Sequence, residues 1–318
     1  MDHFDGKKFF NPWNRKPKSS LKFLFKAGPE IRKRKWPTWI DLPKFPAPPQ
    51  RNSKTELHIT VINHDTVFIQ VDGLNILTDP VYSQRTSPVQ FVGPKRIHRP
   101  AIAFNDLPPI DLVLLSHNHY DHMDVTALKK LDKDHQALTI APLKNGEFLQ
   151  SKGLQKTLDL DWWQSTTFQT LKVTCVPAQH WSSRSIADRN DMLWGGFVLE
   201  RANGEKIYFA GDTGYAPFFK DIYERMGPMD LSLLPIGAYE PRWFMKDMHM
   251  NPEDAVLAHM DLHSKQSIGV HFGCFKLTSE AVDDPVKHLE AAKMKHKIKS
   301  ETFFAPEFGR VYLNGKST

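Results

Sequence analysis

Leu112-Val113-Leu114-Leu115-Ser116-His117-Asn118-His119-Tyr120-Asp121-His122-Met123-Asp124 is the stretch whose reading decides the fold of this 318-residue chain. Its four leading apolar residues predict a short strand buried on both faces, of the kind found inside a covered sheet. Three histidines and an aspartate then crowd into six residues. His117 and His119, at i and i+2 on an extended segment, point to the same side and can share one metal ion. Asp121 and His122, past the turn, are placed to reach a second ion close by. Imidazole and carboxylate ligands suit zinc, and a site short of four protein ligands leaves room for an activated water. The plainer reading is a polar loop that happens to be rich in histidine. The order His-x-His-x-Asp-His argues against it, and we read the stretch as metal-binding.

Length and composition allow one large α/β domain or two small ones with ample core. Hydrophobic residues make up 40% and charged residues 25%, an ordinary globular balance. The formal charge of +6 is unevenly placed: residues 1–50 hold 12 Lys/Arg against 4 Asp/Glu, and the rest of the chain 30 against 32. A basic N-terminus favours an anionic partner, a phospholipid surface or a nucleic acid, unless it is simply a solvated tail. Cys175 and Cys274 stand 99 residues apart in no metal or redox spacing, and read as inert core thiols in a reducing, cytoplasmic compartment. No signal-peptide pattern opens the chain, and no run approaches the roughly 18 apolar residues of a spanning helix. We therefore expect a soluble or peripheral protein.

Residues 1–53 lack a sustained period, are rich in Pro, Lys and aromatic residues, and include Pro46-Ala47-Pro48-Pro49. They read as a basic, irregular N-terminal arm, with a single domain over residues 54–318. Within the arm Leu21, Phe23, Leu24 and Phe25 interleave with Lys18, Lys22 and Lys26, which suits either a bilayer's headgroup–acyl boundary or packing on the core. Strands are predicted at His58–Val61, Val67–Val71 and Leu74–Thr78, with a turn at Asp72-Gly73. A long loop follows over residues 79–100. After the metal-binding stretch come a helix at Val125–Leu131, a strand at Thr139–Ala141 and a helix at Asn145–Lys152. Leu171–Val176 alternates as a strand, and Phe197–Glu200 with Lys206–Ala210 forms a hairpin turning at Asn203-Gly204. Leu231–Pro235 is a buried strand, Pro252–His263 a helix capped by Asn251, Ser267–His271 a strand, and residues 279–296 hold a late helix. The pattern indicates an α/β (α+β) protein built as an αββα sandwich. His180, Asp212 and His271 each close an apolar β run, and strand ends meeting at one sheet edge are where α/β folds place their sites.

With these seven positions the chain resembles the metallo-β-lactamase superfamily, an αββα sandwich with a two-metal site. The resemblance implies two Zn2+ per chain, one held by His117, His119 and His180 and the other by Asp121, His122 and His271. Asp212 would bridge them along with a hydroxide, and Asp121 and Asp212 would serve catalysis. Further stretches are similar to one family within it, the N-acyl-phosphatidylethanolamine-hydrolysing phospholipases D. They include Phe10-Asn11-Pro12-Trp13, Leu77-Thr78-Asp79-Pro80, Gly93-Pro94-Lys95-Arg96, Asp161-Trp162-Trp163 and Ala178-Gln179-His180-Trp181. The most specific is Pro235-Ile236-Gly237-Ala238-Tyr239-Glu240-Pro241-Arg242-Trp243-Phe244-Met245-Lys246. Where that family commonly reads Gly-His-Ala-Thr this chain has Asn63-His64-Asp65-Thr66, and it carries Asp247-Met248 ahead of His249.

The family resemblance implies hydrolysis of a membrane phospholipid to phosphatidic acid and an N-acylethanolamine, and a homodimer. Tyr120 and Gln179, each beside a ligand, are expected to bind the phosphoryl group, although Tyr120 would equally serve as packing. Trp181, Trp243, Phe244 and Met245 are expected to form an apolar wall for acyl chains, with Met248 and His249 near the headgroup. The basic arm would meet the membrane surface, giving peripheral association, and nucleic acid is not an expected partner. Two other readings stand beside this one. The first is a hydrolase of the same fold acting on a soluble phosphodiester, lactone or nucleic acid. The second is a zinc-stabilised binding protein without turnover, which would predict an incomplete ligand set.

Overall fold

A computed structural model describes residues 2–14, 34–53, 55–314 and 316–317. Leu21, Phe23, Leu24 and Phe25 with their neighbouring lysines lie outside the described residues. The strands are β1 (Leu57–Asn63), β2 (Thr66–Val71), β3 (Leu74–Thr78), β4 (Leu112–Leu114), β5 (Leu138–Pro142), β6 (Thr157–Leu160), β7 (Ser165–Phe168), β8 (Leu171–Val176), β9 (Gly196–Glu200), β10 (Lys206–Phe209), β11 (Leu231–Pro235), β12 (Gln266–Val270), β13 (Phe303–Phe304), β14 (Val311–Leu313) and β15 (Lys316–Ser317). They form two sheets, ordered β15-β14-β1-β2-β3-β4-β5-β6 and β13-β12-β11-β10-β9-β8-β7. Each sheet changes from antiparallel hairpins to parallel pairing: β3 through β6 run parallel in the first and β10 through β13 in the second.

Period-two alternation assigns the faces. Val67, Ile69 and Val71 of β2 enter the core between the sheets, whereas Phe68 faces the helices that cover the first sheet. Those helices are α1 (Val125–His135) and α2 (Asn145–Ser151), whose Leu128, Leu131 and Leu149 join that outer core. The second sheet is covered by α3 (Phe218–Met226), α5 (Pro252–Asp261) and α6 (Asp284–His296), which bury Phe218, Ile222, Val256 and Leu289. The short α4 (Arg242–Met245) lies in the loop after β11. Both faces of both sheets are thus covered, which is the expected αββα sandwich.

Most predicted elements are present with ends shifted by a residue or two. Asp124 caps α1 by accepting from the Thr126 and Ala127 amides, and Asn251 caps α5 in a reciprocal box with Asp254. The late helix starts at Asp284, later than the expected 279, because the segment before it is used as a brace. Glu280 there accepts from the Ala238 and Glu240 amides and from the Thr278 hydroxyl. Sequence reading passed over β6, β7, β13, β14, β15 and α4, each of four residues or fewer, and the nine-residue α3. The described parts of the N-terminal arm lie against the sandwich. Asn11 Nδ2 donates to the His180 carbonyl (2.8 Å), and Trp36 Nε1 donates to the Glu280 carbonyl (2.9 Å). Both cysteines are free and buried, and burial pushes the Cys274 thiol up to about 12. Among the described residues no helix is long and apolar enough to cross a membrane.

Candidate metal centre

The carboxyl ends of β4, β8, β10 and β12 meet at one edge of the sandwich and deliver His117, His180, Asp212 and His271 together. Small residues permit the approach. A Cβ on Gly211 would stand 2.5 Å from Ser116 Cβ, and one on Gly237 would stand 2.1 Å from the His271 carbonyl oxygen. Any side chain at either position would push a ligand-bearing loop away.

Two groups of donors result. In the first, His119 Nδ1 lies 2.8 Å from His117 Nε2 and 3.2 Å from His180 Nε2. Asp212 Oδ2 stands 3.9 and 3.6 Å from the same two Nε2 atoms. In the second, His122 Nε2 and His271 Nε2 are 3.2 Å apart, and each is within 3.7 Å of Asp121 Oδ2. Asp212 reaches this group too, with Oδ2 at 3.1 Å from His122 and Oδ1 at 3.0 Å from His271. All seven positions expected as ligands are therefore brought together, and Asp212 lies between the two groups.

The arrangement fits metal ions. Neighbouring ligands of a tetrahedral ion held at about 2.0–2.2 Å stand about 3.4 Å apart, close to these spacings. Asp212 Oδ1 is buried without a hydrogen-bond partner, although it is only 3.0 Å from an imidazole nitrogen. Atoms that crowd without hydrogen-bonding geometry have lone pairs aimed at a common point instead of at each other. Outer contacts orient the rings: His122 Nδ1 is 2.6 Å from Asp79 Oδ2, His117 Nδ1 2.9 Å from Ser116 Oγ, and His180 Nδ1 donates to the Met248 carbonyl (2.9 Å). A ring held at Nδ1 presents Nε2 to a metal.

Electrostatics agree. Burial lowers His117 and His119 well below the ordinary imidazole value and His180 to about 4, leaving three neutral ligands. In the second group burial acts the same way, but the carboxylates of Asp212 and Asp121 outweigh it and hold His271 up at about 10 and His122 well above its ordinary value. Burial would raise Asp121 and Asp212, yet His122 and His271 keep both well below the usual carboxylate range. The two carboxylates create a field that demands positive charge, met here by protons on two imidazoles. A divalent cation satisfies the same field and displaces those protons on binding.

A cavity of about 330 Å³ opens onto the donors at His119, Asp121 and Asp212, and Trp181, Phe244, Met245, Met248 and Leu277 form its apolar wall. His249 lines it too, with Nδ1 unbonded and burial lowering its pKa to about 3. Three expected substrate contacts are not among the lining residues. The Tyr120 hydroxyl donates to the Arg184 carbonyl (3.1 Å), and its ring lies under the Arg184 guanidinium. The Gln179 side chain donates to the Asp247 carbonyl (3.1 Å), which ties it to the loop before Met248. Trp243 is 47% exposed on α4, its ring edge-on to that of the cavity-lining Phe244 at 5.7 Å between centroids. Sequence reading also missed Arg189, whose guanidinium stacks 4.5 Å over Trp181 at the cavity. It missed Asp79 as the carboxylate behind His122 as well. No spacing rule marks Arg189, whereas Asp79 closes a buried strand just as the ligands do.

The model of the beta-lactamase superfamily domain matches residues 74–272. The chain is 36% identical to N-acyl-phosphatidylethanolamine-hydrolyzing phospholipase D 1 of Caenorhabditis elegans, over 82% of this chain and 77% of that one. It is 34% identical to the mitochondrial N-acyl-phosphatidylethanolamine-hydrolyzing phospholipase D of Saccharomyces cerevisiae, over 81% of this chain and 56% of that one. Among solved structures, Igni18, a metallo hydrolase from Ignicoccus hospitalis, superposes with a TM-score of 0.61 at 20% identity, over 81% of this chain and 98% of that one. At that identity the likeness carries the fold alone.

Proposed function

Since the chain belongs to the beta-lactamase superfamily of metal-dependent hydrolases, and within it to the family of N-acyl-phosphatidylethanolamine-hydrolysing phospholipases D, we propose that it is a zinc-dependent phosphodiesterase of phospholipase D type. Its substrate on this reading is N-acyl-phosphatidylethanolamine, cut to N-acylethanolamine and phosphatidic acid. The observation that supports it best is a complete set of seven donors, of which His119, Asp121 and Asp212 open onto a cavity whose wall is apolar. Such a cavity suits an amphiphile with a phosphodiester at one end and acyl chains at the other.

Two zinc ions, when bound, lower the pKa of a shared water and neutralise phosphoryl oxygens. The chain's own part is positional. His117, His119 and His180 would hold one ion and Asp121, His122 and His271 the other, with Asp212 common to both. Asp79, Ser116 and the Met248 carbonyl fix the rings that face them. Trp181, Phe244, Met245 and Leu277 exclude water from the phosphoryl group and receive acyl chain. His249, neutral and unbonded at Nδ1, is placed to accept or donate at a substrate oxygen. Mass spectrometry of the products from mixed phospholipid vesicles tests the reading. N-acylethanolamine and phosphatidic acid are expected. Cleavage of only soluble bis-(p-nitrophenyl) phosphate, with or without detergent, would sink it.

Met248 bears on headgroup selection. Its carbonyl orients His180, while its side chain lines the cavity. A thioether donates no hydrogen bond and accepts only weakly, so a polar contact to the N-acyl amide is missing there. Such a contact is worth about 0.5–1.5 kcal/mol. Plain phosphatidylethanolamine should therefore be cut at a measurable fraction of the N-acyl lipid's rate. Met248→Gln, which keeps the carbonyl, should widen that gap about threefold to tenfold. Competition of both lipids in one vesicle measures the ratio, and an unchanged ratio would remove Met248 from specificity.

The basic arm belongs to the same reading as the element that meets an anionic lipid surface. Replacing Leu21, Phe23, Leu24 and Phe25 with Ser should weaken vesicle sedimentation and bilayer activity, and spare activity on a monomeric short-chain substrate. Equal loss of both activities would make the arm purely structural.

A further inference from the structure

The β1–β2 turn brings a histidine into the second group of donors that the seven-ligand set does not contain. His64 is fully buried, and its Nε2 lies 3.4 Å from Asp121 Oδ2. The donor atoms of His64, Asp121, His122 and His271 all lie within 4.8 Å of one another. The His64 ring lies against that of His271, with centroids 3.9 Å apart and the planes tilted by 43°. Its backbone adopts φ +41°, a left-handed conformation that residues with a side chain seldom visit. Surrounding bonds hold it there: the His271 amide donates to the His64 carbonyl (2.9 Å), and the Thr78 hydroxyl donates to the Asp65 carbonyl (2.7 Å). The turn is thereby tied to a ligand-bearing loop on one side and to β3 on the other.

Both groups reach the cavity. Each does so through one residue, His119 in the first and Asp121 in the second, beside the shared Asp212, whereas His64, His122 and His271 do not line it. With Asp121 these three histidines supply four donors, the number that closes a structural zinc site.

We propose that His64 is a direct ligand of the second metal position, completing with Asp121, His122 and His271 a four-donor set beside the shared Asp212. The second ion is then the more saturated and more tightly held of the two. The first would be held by His117, His119 and His180 with Asp212. This rests on the two-metal part of the functional reading and on nothing about the substrate.

X-ray absorption fine structure at the zinc edge of the wild type loaded with two ions counts the imidazoles directly. Six over the two ions are expected with His64 as a ligand. Five would overturn the proposal and reduce His64 to a hydrogen-bond partner of Asp121. In parallel, His64→Gln is titrated with a zinc chelator and its metal content read by mass spectrometry. One ion should be lost at least tenfold more readily than in the wild type, with the other unaffected. Retention of both ions with wild-type affinity would equally overturn the proposal. If the variant does not fold, the wild-type spectrum alone decides. Neither readout involves a lipid, so a failed imidazole count leaves the phospholipid reading standing, and a protein that cuts no phospholipid still passes or fails this test.

Discussion

Asp212→Asn will lower kcat at least about a thousandfold, the scale of loss when one member of a concerted site is removed, while leaving the fold in place. Asp212 approaches histidines of both donor groups, at 3.0 and 3.1 Å in the second and 3.6 and 3.9 Å in the first. An ionised carboxylate offers lone pairs from two oxygens, whereas an amide offers one oxygen and turns two N–H donors toward the second cation. The variant loses the charge that makes the pair of ions compatible at close range. Its volume is unchanged, and Gly211 still permits the strand end to approach Ser116, so the circular dichroism spectrum should match the wild type. Metal content should fall below two ions per chain. A variant that keeps two ions and more than a tenth of the activity would show that Asp212 is not shared between them.

Trp194→Ala will destabilise the protein by about 3–5 kcal/mol, the range for deleting a large buried aromatic, measured by urea unfolding. That is a large part of the roughly 5–15 kcal/mol available to a folded domain. Trp194 is fully buried, and its Nε1 donates to the Ala178 carbonyl (2.9 Å) and to Asn11 Oδ1 (3.2 Å). The same Asn11 donates to the His180 carbonyl (2.8 Å), so one indole ties the segment leading to a metal ligand to the N-terminal arm. The substitution leaves both a cavity and a buried carbonyl without its donor. Trp194→Phe keeps most of the volume and should cost markedly less. Equal losses in the two variants would assign the whole effect to the hydrogen bonds and none to the cavity.

The brace at Glu280 shows why the loop after β11 carries the cavity wall. Its carboxylate accepts two amides of the 238–240 turn, and α4 follows directly with Phe244 and Met245 toward the cavity. A polar residue 35 positions beyond Met245 in the chain thus shapes the apolar wall. The late helix begins after this brace because Ser279 and Glu280 are engaged in holding the turn.

What the sequence determined by itself is local in origin. The alternation of β2, the Asp72-Gly73 and Asn203-Gly204 turns, the Asn251 cap and the His-x-His-x-Asp-His spacing all express periods and hydrogen bonds within a few residues, so they can be read without the rest of the chain. The strand-end positions of His180, Asp212 and His271 were legible for the same reason, and the resemblance joined them into a ligand set. Only the tertiary structure decided which neighbouring side chains face the site. Tyr120 and Gln179 adjoin ligands in sequence yet are turned to the Arg184 and Asp247 carbonyls. His64 stands more than 50 residues before Asp121 yet enters its surroundings, because the β1–β2 turn hydrogen-bonds to the His271 amide. Direction at the end of a strand is set by long-range pairing between strands and loops distant in the chain, and no local period encodes it.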